Sequence, residues 1–209
     1  MCDLVARTGR HQQRYKDGYR LVAGCIPFRY KSCEEDCDDD PMRTIEVLMI
    51  NSQSGPGLLF PKKELEKQNL HAKFPNKGGW ENDETVKEAA VREAVEEAGV
   101  RGDLKKFLGF YCFKSKSHQD EFSPEGWCKA AMYALLVNEE LLSWPEQSTR
   151  ERKWLHVPEA VEQCRHKWME DVLDAFSKWL ANKALAIEEE DPISAPASPH
   201  LGDSMSIPD

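Results

Sequence analysis

Three glutamates, Glu93, Glu96 and Glu97, are the residues of this chain best placed to do chemistry. They lie in Gly78–Val100, GGWENDETVKEAAVREAVEEAGV. A helix turns about 100° per residue, so with Glu93 at zero, Glu97 falls at roughly +40° and Glu96 at roughly −60°. Val86, Ala90, Ala94 and Ala98 cover about +20° to +140° of the same wheel, which puts the acids beside the apolar stripe, at the edge of the core. Like charges three and four residues apart repel by about 0.2–0.5 kcal/mol per pair. In a partly desolvated setting something positive must offset that repulsion. Carboxylate oxygens suit a hard divalent cation such as Mg²⁺, which binds through a few carboxylates plus water and substrate phosphate. Helix geometry alone equally allows a solvated acidic face, the usual state of a Glu-rich helix.

The elements that must position these acids follow from the patterning. Arg20–Arg29 (RLVAGCIPFR), Ile45–Ile50, Leu58–Phe60, Phe107–Phe113, Ala131–Val137 and Lys153–His156 read as strands, rich in branched and aromatic residues. Glu84–Ala98 is the strongest helix. Asn51–Gly57 (NSQSGPG) is a turn cluster. Pro158 suits the first turn of a helix, where a missing N–H costs nothing. Trp168, Val172, Phe176, Trp179 and Leu180, spaced by threes and fours, mark one apolar face of a C-terminal helix over about 161–187. Strands mixed with two substantial helices imply an α/β or α+β sandwich.

The complete spacing in this stretch is more specific than the helix alone. Gly78, Glu84, then Arg92-Glu93-Ala94-Val95-Glu96-Glu97-Ala98-Gly99-Val100 resembles the Nudix box. Its fixed positions would coincide by chance on the order of once in 10⁸ to 10⁹ starts at average residue usage. The resemblance implies the Nudix fold, an α-β-α sandwich with a mixed central sheet and the box helix beside it. It implies a hydrolase of diphosphate linkages that uses Mg²⁺ or Mn²⁺. Carried onto this sequence, Glu93 and Glu97 are implied metal ligands, and Glu96 a further ligand. The resemblance implies Glu96 or Glu93 as the base. The cation would lower the pKa of a bound water and neutralise charge on the diphosphate. Glu84, Arg92 and Gly99 are implied structural members of the motif: Arg92 can pair with Glu84 or with the cluster, and Gly99 can end the helix.

Over about residues 14–180 the chain is similar to the diphosphoinositol polyphosphate phosphohydrolase branch, above all to its plant members, some of which act on diadenosine polyphosphates. Asp17-Gly18-Tyr19-Arg20, Trp80-Glu81, Trp144-Pro145-Glu146, Arg150-Glu151-Arg152-Lys153-Trp154 and His166-Lys167 carry that likeness. It implies substrate contacts at Arg14, Arg20, Arg150, Arg152 and Lys167, with Gly78 and Gly79 beside the phosphates and a basic loop at Lys114, Lys116 and His118. The fork of an arginine grips phosphate oxygens in pairs. The turn at 51–54 lacks the arginine expected in that branch, which favours a nucleotide over a heavily phosphorylated inositol. Family members read FPKGGWE without a break. Here Phe60-Pro61-Lys62 is separated from Gly78 by an insertion, about 62–77, that ends in a second copy, Phe74-Pro75-Asn76-Lys77, so two registers are open for the strand entering the box. Loop insertions cost little closure entropy, and an outward bulge is expected. The rival function is a Nudix-fold binding protein silenced by the insertion.

Charge and composition narrow the partners. The chain has 209 residues, 40% hydrophobic and 31% charged, with formal net charge −9. Residues 33–40 and 188–209 each carry six acids and no Lys or Arg, so the rest is net positive. A small anionic phosphoanhydride substrate suits this distribution; a nucleic acid, which needs a broad basic face, does not. No apolar run reaches the roughly 18 residues of a membrane helix. Seven cysteines without a CxxC pair read as reduced thiols in an intracellular protein, expected as a monomer. The expected organisation is a basic segment 1–17, a catalytic domain 18–187 with its box at 78–100, and a disordered acidic tail 188–209. The basic N-terminus, with the plant resemblance, implies a transit peptide and a mitochondrial location, with the cytoplasm as the other expectation.

Overall fold

The computed structural model describes residues 15–31, 45–53, 55–62, 83–114 and 126–189. Its first hairpin is built on Asp17 and Gly18, with φ of 52° and 80°. Asp-Gly supplies the two positive φ angles that a two-residue hairpin turn requires. The turn joins β1 (Tyr15–Lys16) to β2 (Tyr19–Tyr30). The sheet therefore reaches back to Tyr15, across the expected boundary between residues 17 and 18.

β2 lies at the centre of a mixed sheet. It runs antiparallel to β3 (Ile45–Asn51) and parallel to β6 (Trp127–Glu140). β4 (Leu58–Leu59) and β7 (Arg152–His156) pair antiparallel with β3, and β5 (Val100–Lys114) pairs antiparallel with β6. The strand order is β4-β3-β2-β6-β5, with β1 on β2 and β7 on β3. β5 begins at Val100, seven residues before the expected start at Phe107. Its first half, VRGDLKK, has no branched apolar run, and shifts of register along β5 break the alternation that marks a strand in sequence.

Successive residues of β2 face opposite sides of the sheet, and its register with β6 is unbroken from Arg20 to Phe28. Cys25 Sγ contacts Ala90 O of α1 (Val86–Ala98) at 3.9 Å. Phe28, three residues on, meets Phe176 and Trp179 of α3 (Lys167–Glu189) at centroid distances of 5.2 and 5.8 Å. The two helices thus cover opposite faces, the expected α-β-α sandwich. Ala89, Ala90, Ala94 and Ala98 are fully buried, and their small side chains let α1 lie close on the strands.

The single C-terminal helix expected over 161–187 is instead two. α2 (Val157–Gln163) carries Pro158 in its first turn, and α3 starts at Lys167. Between them Arg165 N donates to Leu58 O at 3.0 Å, and the Arg165 guanidinium donates to Ser52 Oγ and to Gly55 O. A donor that a continuous helix would use internally is spent on the edge of the sheet. The described cysteines Cys25, Cys112, Cys128 and Cys164 are free thiols. Arg14, Gly78, Gly79, Lys116, His118, the insertion from residue 63 to 77 and the tail beyond 189 lie outside the described residues.

Candidate active site

α1 is fixed at both ends. Thr85 is its N-cap: the hydroxyl accepts from Glu88 N at 3.2 Å while Glu88 Oε2 accepts from Thr85 N at 2.7 Å. The sequence signal was T-x-x-E, a capping box, which the expected start at Glu84 overlooked. At the other end Gly99 has φ +62°, and a Cβ there would meet the Trp144 ring at 2.5 Å. The chain from Leu141 to Glu151, joining β6 to β7, closes over that end. Leu141 N donates to Gly99 O at 2.8 Å and Glu146 N to Glu96 O at 3.1 Å. Arg152 donates to Gly99 O and Leu141 O at 3.0 and 3.1 Å and lies 4.4 Å over the Trp144 ring.

The glutamates are more deeply buried than the helical wheel indicated. Glu93 is 1% exposed, Glu96 5% and Glu97 3%. The extra cover comes from outside the helix. Phe60-Pro61-Lys62 is seated against β2: Cys25 N donates to Pro61 O at 3.3 Å, and Gly24 faces Lys62 across an antiparallel bridge. A Cβ on Gly24 would stand 2.8 Å from both Pro61 O and Lys62 Cβ, so glycine is needed for that approach.

Lys62 N donates to Glu97 Oε2 at 2.8 Å, and Arg150 Nη2 to Glu97 Oε1 at 2.9 Å. Arg150 also donates to Asn51 O at 2.9 Å and to Glu146 Oε2 at 3.3 Å. Arg92 grips Glu84 with two nitrogens, at 3.0 and 2.8 Å, and reaches Glu93 at 2.6 Å and Glu96 at 3.3 Å. The two alternatives open for Arg92 in the sequence, Glu84 or the cluster, are thus both realised.

The electrostatics follow from this packing. Among the described residues five buried carboxylates, Glu84, Glu93, Glu96, Glu97 and Glu146, share two guanidiniums, Arg92 and Arg150. Burial pushes the Glu97 carboxyl up to about 8, with Glu93 and Glu146 adding to the rise and Arg150 and the Lys62 amide opposing it. Burial alone would lower Arg92, but its hydrogen bond to Glu84 and the charges of Glu93 and Glu96 hold the guanidinium well above its ordinary value. Among the described residues no three His, Cys, Asp or Glu side chains stand in a metal-ligating cluster as placed. Arg92 and Arg150 hold the carboxylate oxygens. Among the described residues the donor set nonetheless fits a hard divalent cation, because it is all oxygen and its carboxylates outnumber the two guanidiniums bonded to them.

The remaining expected residues that are described contact protein groups. Arg20 is buried on β2 and donates to Cys128 Sγ at 3.0 Å. Lys167 is exposed at the start of α3, 2.7 Å from Glu170. Arg150 and Arg152, expected to face substrate phosphate, face Glu97 and the C-terminal carbonyls of the α1 region. Glu146 and the Lys62 amide were not anticipated as parts of the site. WPE and FPK were visible in the sequence, but their spatial partners were not.

A family model described as "NUDIX domain" matches residues 40–176. The chain is 65% identical over 190 residues to "Nudix hydrolase 16, mitochondrial" of Arabidopsis thaliana, covering 90% of this chain and 97% of that protein. It is 31% identical over 156 residues to "Diphosphoinositol polyphosphate phosphohydrolase 2" of Mus musculus, covering 73% of this chain and 67% of that one. Its fold is similar to a solved NUDIX hydrolase from Nitrosomonas europaea, with TM-score 0.51 at 12% identity over 77% of this chain and 89% of the other.

Proposed function

The chain belongs to the Nudix family and is a Nudix hydrolase, a divalent-cation-dependent enzyme of small-molecule phosphoanhydrides, and from that premise we propose that it cleaves diphosphate linkages of nucleoside diphosphate derivatives such as diadenosine polyphosphates. Glu93 and Glu97, with Glu96, would hold Mg²⁺ or Mn²⁺. The bound cation supplies charge neutralisation at the diphosphate and a more acidic water. Glu96 or Glu93 takes the proton from the attacking water. Arg92 orients Glu93 and Glu96, since one guanidinium reaches both.

The observation that supports a nucleotide over a polyphosphorylated inositol is the commitment of the site's bases to protein acceptors. Arg150 donates to Glu97, Glu146 and Asn51, and Arg152 to main-chain carbonyls. A ligand crowded with phosphates needs free guanidiniums. Phosphate contacts at Lys167, Arg14, Gly78 and Gly79 remain part of the proposal, as does a mitochondrial location, which the name of the Arabidopsis relative supports.

The inositol reading rests on the mouse relative's name. Both readings are tested by measuring kcat/KM with Mg²⁺ for diadenosine tetraphosphate, ADP-ribose, a nucleotide sugar and a diphosphoinositol polyphosphate. The dinucleoside polyphosphate is expected to lead. A lead for the diphosphoinositol compound would overturn the proposal.

A further inference from the structure

We propose that Gly24 is a positioning residue for Glu97: its missing side chain lets the segment after β4 sit close enough on β2 to hold one oxygen of that carboxylate. This inference rests on the hydrolase reading of the site. Gly24 lies in the middle of β2, paired with Met132 of β6 and facing Lys62 across the antiparallel bridge. Its part in the site passes through Pro61 and Lys62. A Cβ at position 24 would meet Pro61 O and Lys62 Cβ at 2.8 Å each and Met132 Sδ at 3.2 Å. The first two belong to a main chain and to the root of a side chain, so neither can swing aside as a flexible side-chain end would.

Lys62 carries the link onward. Its main-chain N–H donates to Glu97 Oε2 at 2.8 Å. Its buried side chain reaches the stacked rings of Phe113 and Trp168, with Nζ 5.1 and 5.6 Å from their centroids. One residue thus ties the carboxylate of α1 to the aromatic packing at the start of α3. Opening a 2.8 Å contact to the 3.4 Å of an ordinary one needs about 0.6 Å. That exceeds the roughly 0.5 Å within which a functional group must be held. β2 resists the movement, because its register with β6 is unbroken from Arg20 to Phe28. The displacement therefore falls on residues 61 and 62, which meet β2 through the Gly24–Lys62 bridge and the Cys25 N–Pro61 O bond. Moving them withdraws the amide from Glu97 Oε2, and a buried acceptor that loses its donor carries a desolvation cost. Glu97 Oε1 keeps Arg150, but a carboxylate held at one oxygen can turn about that contact, and the direction of its remaining lone pairs is no longer set.

The test uses the full chain with Gly24→Ala, and with a backbone ester at residue 62 that replaces the Lys62 N–H by oxygen and keeps the side chain. If Gly24 positions Glu97, each change weakens Mn²⁺ binding without substrate about 10- to 100-fold, as for other groups that orient metal ligands. Electron paramagnetic resonance reads that affinity. On a substrate that the wild type turns over, kcat falls in parallel and KM changes little. Gly24→Ala adds little in the ester background, because the bond to Glu97 is lost only once. Phe176→Leu, in the packing under α3, controls for lost stability: it lowers the urea midpoint and keeps Mn²⁺ affinity. Wild-type Mn²⁺ affinity in folded Gly24→Ala, or an equal loss in Phe176→Leu, would overturn the proposal. Should Gly24→Ala fail to fold, the ester tests the amide alone, and unchanged Mn²⁺ affinity in it overturns the link to Glu97. A wild type that binds Mn²⁺ but turns over no substrate leaves this comparison intact, whereas one that binds no Mn²⁺ overturns both the hydrolase reading and this proposal.

Discussion

Single residues here carry a conflict between stability and function. Glu97 is buried among other carboxylates, and burial raises its pKa from the ordinary 4.5 to about 8 in the metal-free protein. Between those values the folded chain keeps a proton that the unfolded chain has released, so stability falls as pH rises from about 4.5 to about 8. Urea unfolding in EDTA at pH 5, 6.5 and 8 is expected to show this decline, and Glu97→Gln to flatten it. Mg²⁺ should also flatten it, because a cation favours the ionised carboxylate. Parallel profiles for wild type and variant would contradict the account. The three glutamates were legible because their spacing is a property of the chain. Their burial was not, because the residues that cover them arrive from positions 60–62 and 141–151.

At the scale of elements, the catalytic turn depends on how α1 ends. Gly99 combines a left-handed φ with a ring in van der Waals contact, so Gly99→Ala meets both costs. The backbone part is about 1–2 kcal/mol, and displacement of Trp144 adds to it. Urea unfolding should show a loss above 1 kcal/mol, accompanied by a drop in kcat, since Trp144 and Arg152 belong to the clamp over Glu96 and Glu97. A loss within the roughly 0.5 kcal/mol typical of surface changes would show that the clamp yields freely. Long apolar strands such as β3 were readable from composition. The two-residue β1 was readable only from the Asp17-Gly18 turn. The division between α2 and α3 was hidden, because Arg165 bonds to a strand more than a hundred residues earlier.

At the scale of the molecule, the sheet separates two tasks. One face carries α1 and the carboxylates; the other carries α3 and the aromatic packing of Phe28, Phe176 and Trp179. The sandwich and the box were legible because each repeats a local pattern. The roles of Arg150 and Arg152 were not, because a base in sequence looks the same whether it meets a phosphate or a carboxylate. The central claim is that the buried glutamates of α1 run a metal-dependent hydrolysis. Its most direct test is product release from diadenosine tetraphosphate by wild type and Glu97→Gln, each with Mg²⁺ and with EDTA. The account predicts turnover only by wild type with Mg²⁺, while Glu97→Gln keeps a cooperative unfolding transition. Full activity in Glu97→Gln, or turnover that survives EDTA, would contradict it.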